Sequence, residues 1–204
     1  DDDIQTALEA AVEATKADIT RSVPVAPTTH TNGDLLALYP IGDHHIGMLA
    51  WAEETGDSYD LKIAESLLAG AMDSLLASSP ICSECIVAFM GDLLHYDSYV
   101  PETPKHRHKL DADSRAPAMV ATTIKTIRYV TAAALAKHAT VRVIVEVGNH
   151  DPYSSIWVRE FLAAHYEDEP RVSVDCSPRH FHYYQFGQCL LATHHGQGVK
   201  KDNL

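Results

Sequence analysis

Between residues 35 and 166 short apolar runs alternate with segments of helical period, and this alternation restricts the fold more than any other feature of the chain. The runs at 35–41, 86–90 and 141–147 read as strands. The third, VRVIVEV, is rich in β-branched residues, as a strand buried on both faces should be. Residues 60–77 place Leu61, Ala64, Leu68, Ala71 and Leu75 on one helical face. Pro117 opens a second helix running to about 138, with Val120, Ile124, Ile127, Ala134 and Leu135 as its buried stripe, and a third is expected over 155–166. The tail segments RVSVD, FHYYQFG and CLLATHHG then read as three strands joined by short turns. The expectation is an α/β sandwich of central β-sheets flanked by helices. In such sheets the carboxyl ends of the strands share one edge, where ligands bind.

A chain of 204 residues is long enough for one well-buried domain. Its 46% hydrophobic and 22% charged residues suit a globular protein rather than a disordered one. No apolar run approaches the roughly 20 residues needed to span a bilayer, and no signal-peptide pattern opens the chain, so a cytoplasmic protein without a membrane partner is expected. Residues 1–21 read as an amphipathic helix, with Ile4, Leu8, Val12 and Ile19 on one face, and as the tail of an upstream domain. Residues 22–34 read as a linker rich in Pro and Thr, leaving 35–204 as the domain. Cys82 and Cys85 form a lone C-x-x-C with no second pair, which favours a structural role over redox chemistry or zinc.

Each apolar run leads into metal-capable side chains: GDHHIG after the first, GDLLHYD after the second, GNHDP after the third and THHGQG after the last. A single exit of this kind is ordinary turn chemistry, because Gly-Asp and Gly-Asn are common turn dipeptides. Four of them converging on one sheet edge point to a metal site. Oxygen donors mixed with imidazole suit Mn, Fe or Zn.

These motifs, D-x-H at Asp43-His44-His45, G-D at Gly91-Asp92, G-N-H-D at Gly148-Asn149-His150-Asp151 and the pair His194-His195 before Gly196, resemble those of the calcineurin-like metallophosphoesterase superfamily. The resemblance runs from residue 35 to about 198 and implies a metallophosphoesterase sandwich with its metal site at the strand C-terminal ends. It implies two divalent ions, Mn first, with Fe or Zn as alternatives. Asp43 and His45 would hold one ion, Asp92 would bridge both, and Asn149 would hold the second with one histidine of THHG: His195 by the family's H-G pattern, His194 next. His150 would protonate or stabilise the leaving oxygen, with Asp151 orienting it, and His44 would be a bystander.

The implied reaction is phosphodiester hydrolysis, by attack of a hydroxide held between two ions that also neutralise the charge developing on the phosphoryl oxygens. The GDLLHYD motif, the long polar loop over 98–116 and the GNHDP helix entry are most similar to phage and bacterial DNA-repair exonuclease-like members. DNA is therefore the expected substrate. His95, with Lys105 and Arg107 of the basic run KHRHK, would contact it, despite a net charge of −12 that disfavours a broad nucleic-acid face. A homodimer or an additional DNA-binding domain upstream completes the expected partners. Two rivals stand beside this reading: a phosphomonoesterase or small-molecule phosphodiesterase, and a non-catalytic binding scaffold of the same fold. The family's closing G-H-x-H motif is not reached by Leu204, so a C-terminally truncated domain is expected. The alternative phosphoesterase superfamily built on a D-H-H triplet needs an earlier D-x-D type motif on a strand, which the residues before Asp43 lack.

Overall fold

The computed structural model describes residues 30–197. The expected helix over 1–21 and most of the expected linker lie outside that range. Strand β1 spans Asn32–Ile41, beginning three residues inside the expected linker, because Asn32 N donates to Ile81 O (3.0 Å) and Asn32 pairs with Cys82. There follow a short helix α1 (Ala52–Thr55), helix α2 (Leu61–Ser78), strand β2 (Cys82–Phe89), helix α3 (Ala116–Lys137), strand β3 (Thr140–Val145) and helix α4 (Ser154–His165). Strands β4 (Val172–Val174), β5 (His182–Phe186) and β6 (Cys189–Thr193) complete the described order.

Strands β1 to β4 form one all-parallel sheet in the order β1-β2-β3-β4, while β5 and β6 form a separate antiparallel hairpin. Successive right-handed crossovers that always step in the same direction put their helices on the same face of a sheet. Consistently, Ala37, Tyr39, Cys85, Val87, Phe89, Val141, Val143 and Val145 pack in one core with Leu68 of α2, Ile127 of α3 and Leu162 of α4. The intervening residues Ile86, Ala88 and Ile144 point the other way and pack with Tyr184 and Leu191 of the hairpin. The architecture is α/β, a four-stranded parallel sheet flanked by helices.

The buried helix faces differ from the expected stripes. In α2 the buried residues are Ala64, Leu68, Met72 and Leu76, whereas Leu75 is 46% exposed. The sequence LLAGAMDSLLA is apolar on more than one side, so periodicity alone did not choose the face. Asp60 caps this helix by accepting from Ile63 N at 2.7 Å. In α3 the buried face includes Thr123 and Thr126 in place of Val120 and Ile124. Their hydroxyls donate back to Met119 O and Thr122 O, which removes the cost of burying them.

Cys82 and Cys85 lie buried on β2 as free thiols, and burial pushes Cys85 up to about 12. Reactive thiols need the opposite shift, so the structural reading of the C-x-x-C fits. Among the described residues no helix is long and apolar enough to cross a membrane.

Candidate metal centre

Parallel neighbours deliver their C-terminal loops side by side, and here those loops continue the pairing beyond the strands. Asp43 N donates to Gly91 O (3.3 Å), His45 N to Asp92 O (2.9 Å) and Ile46 N to Leu93 O (2.8 Å). The loop after β3 joins them: His150 N donates to Asp92 Oδ1 at 2.8 Å, and Asp151 accepts from Asp92 N (3.2 Å) and Leu94 N (3.0 Å). His195 arrives from the end of β6, and its Nδ1 donates to Met90 O at 2.8 Å.

Two groups of donors result. Asp43, Asp92 and His195 place ligand atoms within 4.8 Å of one another, and so do His45, His95 and His150. Asp92 is the hinge between them. Its Oδ1 is occupied by the His150 amide, while Oδ2 stands 3.5 Å from His195 Nε2 and 3.9 Å from His45 Nε2, one imidazole from each group. Asn149 Oδ1 lies 3.1 Å from His195 Nε2, so these two sit together as expected of partners at one ion.

The expected pairing of Asp43 with His45 takes a different form: the two fall in different donor groups. Both residues, and Asp92, adopt left-handed backbone, with φ of 48°, 47° and 50°. A D-x-H on a continuing strand would aim both side chains one way, and the left-handed turn at each residue breaks that alternation. Such backbone costs about 1–2 kcal/mol per non-glycine residue, so strain is concentrated at three of the donors.

His95, expected at the substrate, is instead buried among the other imidazoles, with Nδ1 3.4 Å from His45 Nδ1 and its ring stacked on His150 at 5.6 Å between centroids. Burial, with His45 and His150 beside it, pushes His95 down to about 4. Burial also lowers His45, reinforced by His150 and opposed by Asp92 and Asp43. Imidazoles held neutral keep a lone pair available for a metal. His150 Nδ1 must carry a proton, because its partner is the His95 carbonyl at 2.7 Å, and this leaves Nε2 as the ring nitrogen not committed to that bond. The same logic turns Nε2 of His195 towards the Asn149 and Asp92 oxygens. Carboxylate oxygens mixed with imidazoles, in two groups meeting at one aspartate, fit a pair of divalent ions.

Asp151 differs from its expected part. Its carboxylate is 1% exposed and holds the β2 exit loop, while the His95 carbonyl is what orients His150. Burial raises Asp151 to about 6, opposed by the Leu94 amide. An acid with a raised folded pKa binds more protons folded than unfolded between about pH 4 and 6, so stability falls as pH rises through that window. In metal-free protein this contributes a loss on the order of 2–3 kcal/mol, and Asp151→Asn flattens the slope of denaturant midpoint against pH.

The remaining expected residues are spread around the rim. His44 lies half-buried and outside both donor groups, its Nε2 donating to Ala64 O at 2.9 Å on helix α2. His194 lies outside both donor groups and stacks on Phe181, with centroids 4.4 Å apart and planes at 20°. Lys105 lines a cleft of about 640 Å3 with Asn149, His180, Phe181, His194 and Gln197. Arg107 is turned away onto Glu102 at 2.9 Å, a carboxylate it shares with Lys109 at 3.2 Å. Asp97 caps α4, accepting from Tyr153 N at 2.6 Å and Ser154 N at 2.9 Å.

Sequence reasoning missed Glu146, which is 1% exposed, accepts from Thr193 Oγ1 (2.5 Å) and faces the buried His182 (3.9 Å). It ties the β3 exit that carries Asn149 to the β6 exit that carries His195. The available signal was an acid inside the apolar run VRVIVEV. Compared with protein-family models, curated proteins and solved structures, the chain gives no match.

Proposed function

We propose that this chain is a dinuclear-metal phosphoesterase of the calcineurin-like kind, hydrolysing phosphodiester bonds with DNA as its substrate. The observation that carries this reading is Asp92 Oδ2, within 3.5 Å and 3.9 Å of imidazoles from two separate donor groups. A carboxylate in that position suits shared coordination, and the only reaction class that the sequence motifs resemble uses it so. The residues to hold the ions are Asp43, Asp92, Asn149 and His195 on one side and His45 with His95 on the other, Asp92 being common to both. Divalent ions bound there, Mn foremost, supply Lewis acidity towards a phosphoryl oxygen and acidify water towards neutral pH.

The chain's own groups supply the rest. His150 presents Nε2 at the edge of the donor set with its Nδ1–H held on the His95 carbonyl; in its imidazolium form, protonated on both nitrogens, it gives the Nε2 proton to a departing oxygen and returns to the Nδ1–H tautomer. Asp151 and the Asp92 Oδ1 bond fix the loop so that this imidazole does not wander. The buried Glu146 bond to Thr193 holds the hairpin against the sheet and with it the His195 ligand.

The test is Mn-dependent cleavage of single- and double-stranded DNA, set against hydrolysis of aryl phosphate mono- and diesters, with His150→Ala as a control. Cleavage of DNA and the diester, reduced in His150→Ala, is the expected result. Turnover of the monoester alone would sink the nuclease assignment. No turnover with Mn, Fe or Zn would favour the binding-scaffold reading.

A further inference from the structure

The cleft lined by Lys105 opens directly from the metal centre, since Asn149 belongs to both. In a chain with 28 acidic residues, its lining contains none. It combines Lys105, His106, His108, His180 and His194 with a single apolar ring, Phe181. The nearby cations Arg107 and Lys109 are engaged by Glu102, whereas no partner within the described residues engages Lys105. A cleft of this volume is in the ordinary range for a ligand of nucleotide size.

Its geometry adds a shape. Phe181 and His194 stack nearly parallel, 4.4 Å between centroids and 20° between planes, immediately before the His195 ligand. Two flat rings already stacked are a platform for a third flat group, and gain little from a flexible or saturated one. A lysine ammonium beside such a platform, here Lys105, accepts a backbone phosphate, and every nucleobase has a face to stack. Paired bases in a duplex are already stacked and present no free face, so the occupant must be unpaired.

Resting on the phosphoesterase reading, we propose that this cleft seats an unpaired nucleotide next to the scissile phosphate, its base stacking on the Phe181–His194 pair and its backbone phosphate meeting Lys105. The protein thereby acts on single-stranded DNA or on frayed strand ends. Phe181 is the residue that recognises the base, and Lys105 contributes sequence-independent affinity.

The experiment uses the full 204-residue chain with Ca2+ in place of Mn, to slow turnover. Fluorescence anisotropy compares a labelled oligo-dT with an abasic strand of equal length and charge. Wild type binds the dT strand about 5- to 100-fold more tightly, the range that one stacked base contributes. Phe181→Leu loses that difference and Phe181→Tyr retains it, which separates loss of the ring from a general folding defect. Lys105→Ala weakens both strands by a similar factor and lowers the salt slope by about one ion. Equal binding of dT and abasic strands by wild type, or an undiminished difference in Phe181→Leu, overturns the proposal. Hydrolysis of bis(p-nitrophenyl) phosphate with Mn is measured alongside. If the diester is cleaved but binding ignores bases, this inference falls and the phosphoesterase reading stands. If binding depends on bases but no diester is cleaved, the phosphoesterase reading falls and the cleft assignment stands.

Discussion

Replacing Asp92 by Ala lowers Mn-dependent diester hydrolysis by at least about 10³-fold, the scale set by the several kcal/mol that metal ions contribute to charge stabilisation. Asp92 has two tasks, one for each oxygen. Oδ1 accepts the His150 amide and so holds the loop after β3; Oδ2 faces imidazoles of both donor groups. Asp92→Asn separates the tasks, because an amide oxygen still accepts from His150 N but carries no negative charge to share between two cations. The expected result is a protein whose thermal midpoint in metal-free buffer stays close to wild type and whose activity is lost with that of Asp92→Ala. Isothermal titration with Mn should show the loss of at least one binding event in both variants. Activity retained in either variant contradicts the two-metal mechanism.

Gly148→Ala destabilises the fold by about 2–4 kcal/mol, a drop of roughly 5–15 °C in the melting midpoint of a chain this size. A Cβ at Gly148 would run into the backbone N and Oδ1 of Asp92 and Oδ1 of Asp151, all within one buried hydrogen-bonded loop junction. Neither neighbour is the far end of a flexible side chain, so relief requires the loops after β2 and β3 to separate. That separation breaks the bonds from Asp92 N and Leu94 N to Asp151 and spoils the metal centre with the same stroke. Gly70 in α2 is the control: a Cβ there meets nothing within 4 Å. Gly70→Ala is expected to stabilise by about 0.5–1 kcal/mol, because a helical glycine loses more conformational freedom than alanine. Similar midpoints for the two alanine variants would show that the close approach at Gly148 is relieved at little cost.

Gly148 also illustrates what sequence reading could and could not deliver. That a glycine precedes the Asn149-His150 pair was plain, but its reason, contact with Asp92 from 56 residues earlier in the chain, belongs to tertiary structure. The strands around the site were legible because β-branched runs ending in Gly-Asp or Gly-Asn carry both an element and its stop. The alternation with helices pointed to an α/β arrangement, whereas the order β1-β2-β3-β4 comes from the structure and was not read from the sequence. The buried faces of α2 and α3 were not legible, since Leu67 and Leu75 are as apolar as the residues that pack, and Thr123 becomes buriable only through a bond to its own helix. Among the candidate site residues, Asp92, Asn149, His150 and His195, which the structure brings together, were named from the motifs. The inward position of His95 was not, because it depends on the β2 exit loop pairing with Ile46, where His95 N donates to Ile46 O at 3.0 Å. The family resemblance implied that Asp151 orients His150, but its short side chain reaches the backbone of the neighbouring loop instead.

The division of the strands into a parallel sheet and a detached hairpin bears on cooperativity. A two-stranded hairpin is marginal in water, and β5–β6 is secured by a small apolar patch around Tyr184 and Leu191 and by the Glu146 bond to Thr193. It also carries His195, so whatever ligand His195 shares with Asp92 adds a further tie between the hairpin and the parallel sheet. Amide hydrogen exchange in β5 and β6 then reports local opening free energy, and ligation at the sheet edge raises it in proportion to the logarithm of free metal concentration above the dissociation constant. The hairpin is in effect the latch of the domain, and on the proposed two-ion reading its exchange rate would measure how completely the candidate metal centre is assembled.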